Sequence, residues 1–499
     1  MLNPKLYEIN TRVWIKQFGE NIKFNSIPLN YFQDLSRLGI NIVWLMGIWK
    51  TCPSTIEKYC FEVDLVSSYN KSLKDWTKND VIGSPFAIDV YEVNPDLGTG
   101  KDLLQLKKEL NVMGIKLFLD FIPNHFSADS SLIKSNPGIF LEADEELMSK
   151  DPYTFFKPGI NNINPDNSEK IFAHGRDPLF PAWRDTIQVN FFKEDTRDFM
   201  IKQLIKISDM CDGVRCDMAM LPLNNVFNNT WAGVLNKLGY KKPPEEFWKT
   251  AIEIVKAKSP DFIFMAESYW DLEWDLQQLG FDFTYDKRLT DRLAADQIQS
   301  VIGHLKAEKS FQLKSVRFIE NHDEKRAVEK FGKQKSLAAA TVISTIQGMK
   351  FYYDGQFEGR KIKLPLQLGR EPFEKISETK KVFYTKLLKI TKDDIFICGE
   401  WSLLKPLPVN NKNYSYNNLF TWQWKYNSSC RIIAINYSGF TSQCRLKFQV
   451  NSSVENIILY DLLNDQKYVR RTGEILESGL YIELKAYNSH IFALEDSPS

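Results

Sequence analysis

Four short stretches set titratable residues directly after apolar runs. They are "DFIPNH" (120–125), "GVRCDMAM" (213–220), "MAESYW" (265–270) and "FIENHDEKR" (318–326). A strand that stops abruptly in polar, ionisable groups is unusual for a core element and is what the rim of a binding site looks like. Each stretch alone has an ordinary reading: a capped turn for the first, a structural Arg–Asp pair for the second, a Glu near a helix start for the third, and a solvated loop for the fourth. Four such endings in order along one chain are hard to reconcile with accident. Together they supply three carboxylates and an arginine, a set that suits glycoside chemistry. Two carboxyl groups flanking a glycosidic bond provide an acid and a nucleophile, and a separation of about 5–5.5 Å makes the enzyme retaining. The acid needs surroundings that raise its pKa. The nucleophile needs a positive neighbour that favours its ionised form. Arg215 precedes Asp217 by two residues, which on a strand puts both on one face. That spacing predicts Asp217 as nucleophile and leaves Glu267 as acid/base, with Asp323 holding sugar hydroxyls beside His125 and His322.

These residues need a scaffold that gathers strand ends. Short apolar runs alternate with helical patterns along the chain. The strand-like runs are 6–14, 41–49, 114–125, 213–220, 261–270, 281–286, 315–323 and 349–355. The helical ones are 29–38, 101–114, 194–210, 245–257, 271–279, 288–307, 335–348 and a stretch near 372–390. Continuous apolar strands separated by amphipathic helices predict a parallel sheet covered by helices, and eight units predict a closed (β/α)8 TIM barrel with its site at the C-terminal strand ends. A Rossmann-type sheet is disfavoured, since no GxGxxG follows the first strand. Residues 126–190, rich in Asn, Asp, Pro and Gly, are too long for an ordinary loop and predict a subdomain inserted after strand three. From about 394 onward the pattern becomes short strands between turn signals with no helices, which predicts a C-terminal all-β sandwich. The expected division is therefore 1–125 with 191–393, then 126–190, then 394–499.

Composition narrows the function classes. Lys and Arg total 64 against 63 Asp and Glu, a balance with no electrostatic footprint for nucleic acid or an anionic membrane. Aromatic residues make up 13% of the chain, including 12 Trp and 20 Tyr, through a large core or a surface that stacks flat ligand faces. The seven cysteines (52, 60, 211, 216, 398, 430 and 444) are odd in number and form no CxxC pair, so they are expected as reduced thiols. The first 20 residues show no basic segment followed by an apolar one, and no apolar run nears the roughly 18 residues of a membrane span. A soluble, cytoplasmic protein is expected.

The four stretches resemble the four conserved regions of the α-amylase family of glycoside hydrolases and transglycosylases. The resemblance extends over nearly the whole chain. It implies retaining double displacement on α-glucosidic bonds, with Asp217 as nucleophile, Glu267 as acid/base and Asp323 as transition-state stabiliser. It implies Asp120, His125, Arg215 and His322 in the sugar subsite beside the cleaved bond, and it puts Phe86, in "GSPFAIDVYEVNPDLGT" (83–99), where a sugar-stacking Tyr usually stands. The chain departs from the family pattern after the nucleophile. Met220 and Leu221 stand where many members carry Lys-His, implying a less polar acceptor side and removing one usual element of a structural calcium site. No cofactor is expected to be required. Asn124 is the remaining candidate calcium ligand, with a surface turn cap as the alternative. Trp183, in "PAWRDTIQVN" (181–190), is either a sugar platform or a core side chain. The implied substrate is an α-glucan or oligosaccharide, and the implied alternative activity is glucosyl or maltosyl transfer on the same scaffold. A non-catalytic sugar-binding relative is disfavoured, because such proteins typically lose part of the carboxylate trio.

Overall fold

The strands that gather the site are short and buried on both faces, as a barrel covered by helices requires. In the computed structural model, which describes residues 1–159, 170–450 and 453–496, eight parallel strands close a barrel. They are β1 (Lys5–Asn10), β2 (Ile42–Met46), β3 (Lys116–Phe121), β4 (Gly213–Cys216), β5 (Ile263–Ala266), β6 (Phe283–Tyr285), β7 (Ser315–Arg317) and β8 (Met349–Tyr353). β1 closes the ring by pairing with β8 on one side and β2 on the other. The TIM barrel expected from the strand–helix rhythm is the observed fold.

Most elements end sooner than their apolar runs, for local reasons. The run 41–49 breaks after Met46 because Gly47 takes φ 77°, and a Cβ there would sit 2.7 Å from Pro85. Only glycine accepts both conditions. Beyond it, Trp49–Thr51 pairs antiparallel with Ile88–Val93. Helices Ser54–Tyr59 and Val63–Ser72 fill the excursion between those two strands. The helix expected over 288–307 is two helices, Lys287–Ala294 and Ile298–His304, because Asp296 between them is left-handed at φ 56°. An unforeseen helix, Asn224–Leu238, follows β4. Its asparagines have weak helix propensity. Phe227, Trp231, Val234 and Leu235 nevertheless share one buried face, and Gly239 ends the helix at φ 73°.

The segment after β3 opens with His125–Ser127 pairing antiparallel to Thr186–Gln188, and it carries a small sheet of Glu142–Ala143, Ile171–Ala173 and Phe155–Phe156. Residues 160–169 of the expected inserted subdomain lie outside the described residues, as do 451–452 and 497–499 of the expected C-terminal unit. The C-terminal part is an antiparallel six-stranded sheet with a three-stranded partner sheet. It is not purely β: Thr472–Ser478 is helical. Period-two alternation splits its strands between two cores. Phe420, Trp422, Trp424, Ile433 and Ile435 face the barrel core, while Leu419, Ile432 and Ala434 face the sandwich interior. The Trp424 indole N–H donates to the Thr345 carbonyl at 2.7 Å, tying the sheet to the helix Lys335–Thr345.

Candidate active site

A cleft of about 880 Å³ opens at the C-terminal ends of the strands. Its floor carries Asp217, Glu267 and Asp323, and its walls include Phe86, His125 and Trp183. Asp120, Arg215 and His322, read from the sequence as members of the same sugar subsite, are not among the lining residues. They lie completely or almost completely buried, directly beneath it.

Arg215 organises the floor. On β4 it stands opposite Asp120 of β3 and Met265 of β5. Its Nη1 meets Asp217 Oδ1 at 2.5 Å, and its Nη2 meets Glu267 Oε2 at 2.8 Å. One guanidinium thus joins the end of its own strand to the end of the next. Burial opposes the Arg215 charge, but Glu267 leads the neighbouring groups that raise its pKa well above the usual value. Trp44, Phe86 and Tyr285 surround the guanidinium with ring faces at 5.2, 5.4 and 5.9 Å.

Glu267 is held at both oxygens. Oε2 accepts the Met218 backbone N–H at 2.6 Å, and Oε1 accepts the Tyr269 hydroxyl at 2.9 Å. Burial, reinforced by Asp217 and Asp323 against the opposing charge of Arg215, pushes its pKa up to about 7. That is the range a general acid needs near neutral pH.

Asp323 is 41% exposed. Burial works to raise its pKa, but the charge and hydrogen bond of His322 outweigh that and hold it well below the usual carboxylate range. Asn321 has a different part. Its side-chain oxygen accepts the backbone N–H groups of Asp323 and Glu324 at 3.0 and 2.9 Å, turning the chain so that Asp323 faces the cleft. The expected strand 315–323 ends at Arg317, so the triplet sits on a loop. His322 packs edge-on to Trp44 and lies 5.4 Å from the Phe86 ring.

Asp120 is a support. Oδ1 accepts the Trp44 indole N–H at 3.0 Å, and Oδ2 accepts the Gly47 N–H at 2.7 Å. Burial raises its pKa to about 6 against the pull of Arg215. His125 lines the cleft, and burial lowers its pKa, which favours the neutral ring. Trp183 is half-buried on the wall, 5.2 Å from His125, and lies outside the hydrophobic core.

Two expectations, about Met220 and Leu221 and about Asn124, need correction. Met220 and Leu221 are 0% and 2% exposed and do not shape an acceptor surface. The apolar residues that reach the cleft near Glu267 are Met218 and Trp270. Asn124 is no surface turn cap: it is 1% exposed and exchanges amide hydrogen bonds with Gln188. Among the described residues, no group of three His, Cys, Asp or Glu side chains could hold a metal ion, and no helix is long and apolar enough to cross a membrane.

Four residues that matter here escaped the sequence reading: Trp44, Met218, Tyr269 and Glu8, a fully buried β1 carboxylate whose Oε1 contacts His322 Nδ1. Only Glu8 left a local signal, a charge inside the apolar run of a barrel strand. Trp44 and Met218 act through contacts with residues distant in sequence, and Tyr269 through Glu267 two positions before it.

The family described as "Alpha amylase, catalytic domain" matches residues 28–402. Alpha-amylase 3 of Dictyoglomus thermophilum is 22% identical over 404 residues, covering 77% of this chain and 69% of that protein. Alpha-amylase MalA of Haloarcula japonica is 20% identical over 70% of this chain but only 47% of its own length, so the chain spans about half of that relative. Among solved structures, the maltogenic alpha-amylase AmyB from Thermotoga neapolitana superposes with a TM-score of 0.67 at 19% identity, covering 98% of each chain. That last likeness speaks for the fold alone. With the family match spanning seven of the eight barrel strands and all four strand-end regions, the chain belongs to the alpha-amylase catalytic-domain family of glycoside hydrolases.

Proposed function

We propose that the protein is a retaining α-glycosidase acting on α-glucans or maltooligosaccharides through a covalent glycosyl-enzyme intermediate. Asp217 is the nucleophile, Glu267 the acid/base and Asp323 the residue that grips hydroxyls of the flattening sugar ring. Arg215 carries this reading by bridging Asp217 and Glu267 with its two terminal nitrogens. Sharing one guanidinium draws the two carboxylates toward each other, which favours direct attack by Asp217 over activation of a water between them. The α-glucan substrate class is supported by family membership and by relatives named alpha-amylases.

Glu267 protonates the glycosidic oxygen while Asp217 attacks the anomeric carbon. The leaving sugar departs with that proton, and Glu267, now a carboxylate, deprotonates the incoming water. Met218 and Trp270, with Trp270 36% exposed at the cleft, give the acceptor side an apolar surface that a second sugar can cover. That surface favours glucosyl or maltosyl transfer as a competing outcome for the same intermediate. A cytoplasmic location is part of the same proposal, motivated by cysteines read as reduced thiols.

The test is NMR of the first product formed from maltopentaose. Release of the α-anomer ahead of mutarotation is expected. Initial release of the β-anomer would overturn the retaining assignment, and products longer than the substrate would establish transfer.

A further inference from the structure

The geometry points to Glu8 as a positioning residue that clamps His322 from below, so that the opposite nitrogen of the same ring anchors Asp323 at the cleft floor. The consequence for turnover rests on the functional reading above.

Glu8 lies in the middle of β1, completely buried, level with Trp44 of β2 and Tyr353 of β8. A carboxylate in a dry barrel is costly unless it is paired, and an aliphatic side chain would fill a purely structural position at no such cost. Its Oε1 contacts His322 Nδ1. On the far side of the ring, His322 Nε2 lies 2.9 Å from Asp323 Oδ2. The imidazole is therefore held between two carboxylates, one beneath the floor and one facing the substrate cleft.

A neutral imidazole has one N–H and can donate to only one of these partners, whereas an imidazolium donates to both. A charged ring suits this arrangement, hydrogen-bonding Glu8 on one side and lying at ion-pair distance from Asp323 on the other. The surrounding charges agree with it. Asp120 on β3 adds a further carboxylate nearby, and Arg215 on β4 is the opposing cation, already engaged by Asp217 and Glu267. Tyr285 on β6 and Tyr353 on β8 face Glu8, Lys363 donates to the Asp323 carbonyl, and Trp44 and Phe86 cover the ring. Burial alone would lower the His322 pKa, but Asp323 and Glu8 together raise it to about 10.

The clamp has a functional consequence. It fixes the ring orientation and keeps a positive charge against Asp323 across the working pH range. With Oδ2 held by His322, Asp323 presents its other oxygen to the substrate in one rotamer. Without Glu8, the ring can lose its proton or turn, and Asp323 loses its anchor.

The chain has five histidines, so the ring can be observed directly. The full-length protein is labelled with ¹³Cε1-histidine and titrated by NMR, with His322→Gln identifying the signal. The wild-type His322 signal is expected to remain that of a protonated ring past pH 9. In Glu8→Gln it should titrate at least one pH unit lower, and at pH 6 kcat on a maltooligosaccharide should fall at least tenfold while KM changes less than threefold. A wild-type His322 that titrates near 6.5 overturns the clamp, and that measurement needs no variant at position 8 to fold. A Glu8→Gln enzyme with wild-type kcat and unchanged His322 titration overturns it equally. If the wild-type protein turns over no α-glucoside, the functional reading fails, and the titration still decides the clamp.

Discussion

Glu267 accepts the backbone N–H of Met218 at 2.6 Å, and Met218 reaches it with a left-handed backbone at φ 42°. Met218 directly follows Asp217, so the chain that carries the proposed nucleophile also holds the proposed acid. The Ala219 N–H extends the link by donating to the Glu267 carbonyl at 3.1 Å. A side chain rarely tolerates this conformation, and a β-branched one tolerates it least. Met218→Gly should therefore raise stability or leave it unchanged. Met218→Val should lower stability by about 1–3 kcal/mol and lower kcat. Thermal unfolding and steady-state kinetics of the pair check this, and a fully active, undiminished Met218→Val would show that the turn is not under strain.

Asp217→Asn is expected to lower turnover by about 10³-fold or more, since it removes the attacking charge at nearly constant volume. The fold should survive, because Arg215 keeps its ion pair with Glu267. The checks are activity on a maltooligosaccharide and circular dichroism of the variant. Near-normal rates would remove Asp217 from its assigned role.

Glu267 titrates near 7 because it is buried, and it must carry a proton to act. Its folded pKa is raised, so the competent form predominates below pH 7 and kcat/KM should fall as pH rises through that value. The Tyr269 hydroxyl donates to the carboxylate, which favours its ionised form. Tyr269→Phe should therefore move the alkaline limb upward, by about half a unit to one unit. Glu267→Gln should abolish the limb and cost about 10²–10⁴-fold on natural substrates. Glycosyl fluorides, which need little protonation, should be relatively spared. Equal losses on both substrate types would argue against the acid role.

Asp323→Asn should lower kcat and kcat/KM together with KM little changed, because contacts that strengthen as the ring flattens act mainly in the transition state. A solvated loop residue would change stability by no more than about 0.5 kcal/mol and leave rates alone. Full kcat in this variant would reduce the 321–323 triplet to a turn.

Trp183→Ala removes a half-buried wall beside His125 and none of the carboxylates. KM for maltooligosaccharides should rise several-fold with kcat nearly unchanged, as expected when an interaction made equally in ground and transition states is lost. A core role would appear instead as a fall in unfolding temperature with KM unaffected.

The sequence by itself determined the barrel and the three carboxylates at its rim. Both are local properties: an apolar run buried on two faces carries few polar members before it ends, so Asp217, Glu267 and Asp323 stand out against the strands that precede them. The two-residue step from Arg215 to Asp217 is local in the same way. Element ends were legible only where a backbone signal marks them. Gly47 was a visible marker, whereas the left-handed Asp296 was not, and the asparagine-rich helix 224–238 forms through packing that its propensities do not advertise. The tertiary structure alone decided which polar residues face the substrate and which support the floor. Asp120, Arg215 and His322 look like rim residues in sequence, yet lie beneath it because their polar atoms are drawn inward by neighbouring strands. Met220 and Leu221 turn into the core, leaving Met218 and Trp270 at the cleft. The Glu8–His322 contact joins residues 314 positions apart. It exists because β1 closes the ring against β8, beside β7 and its loop, and that register comes from fitting eight twisted strands around one core.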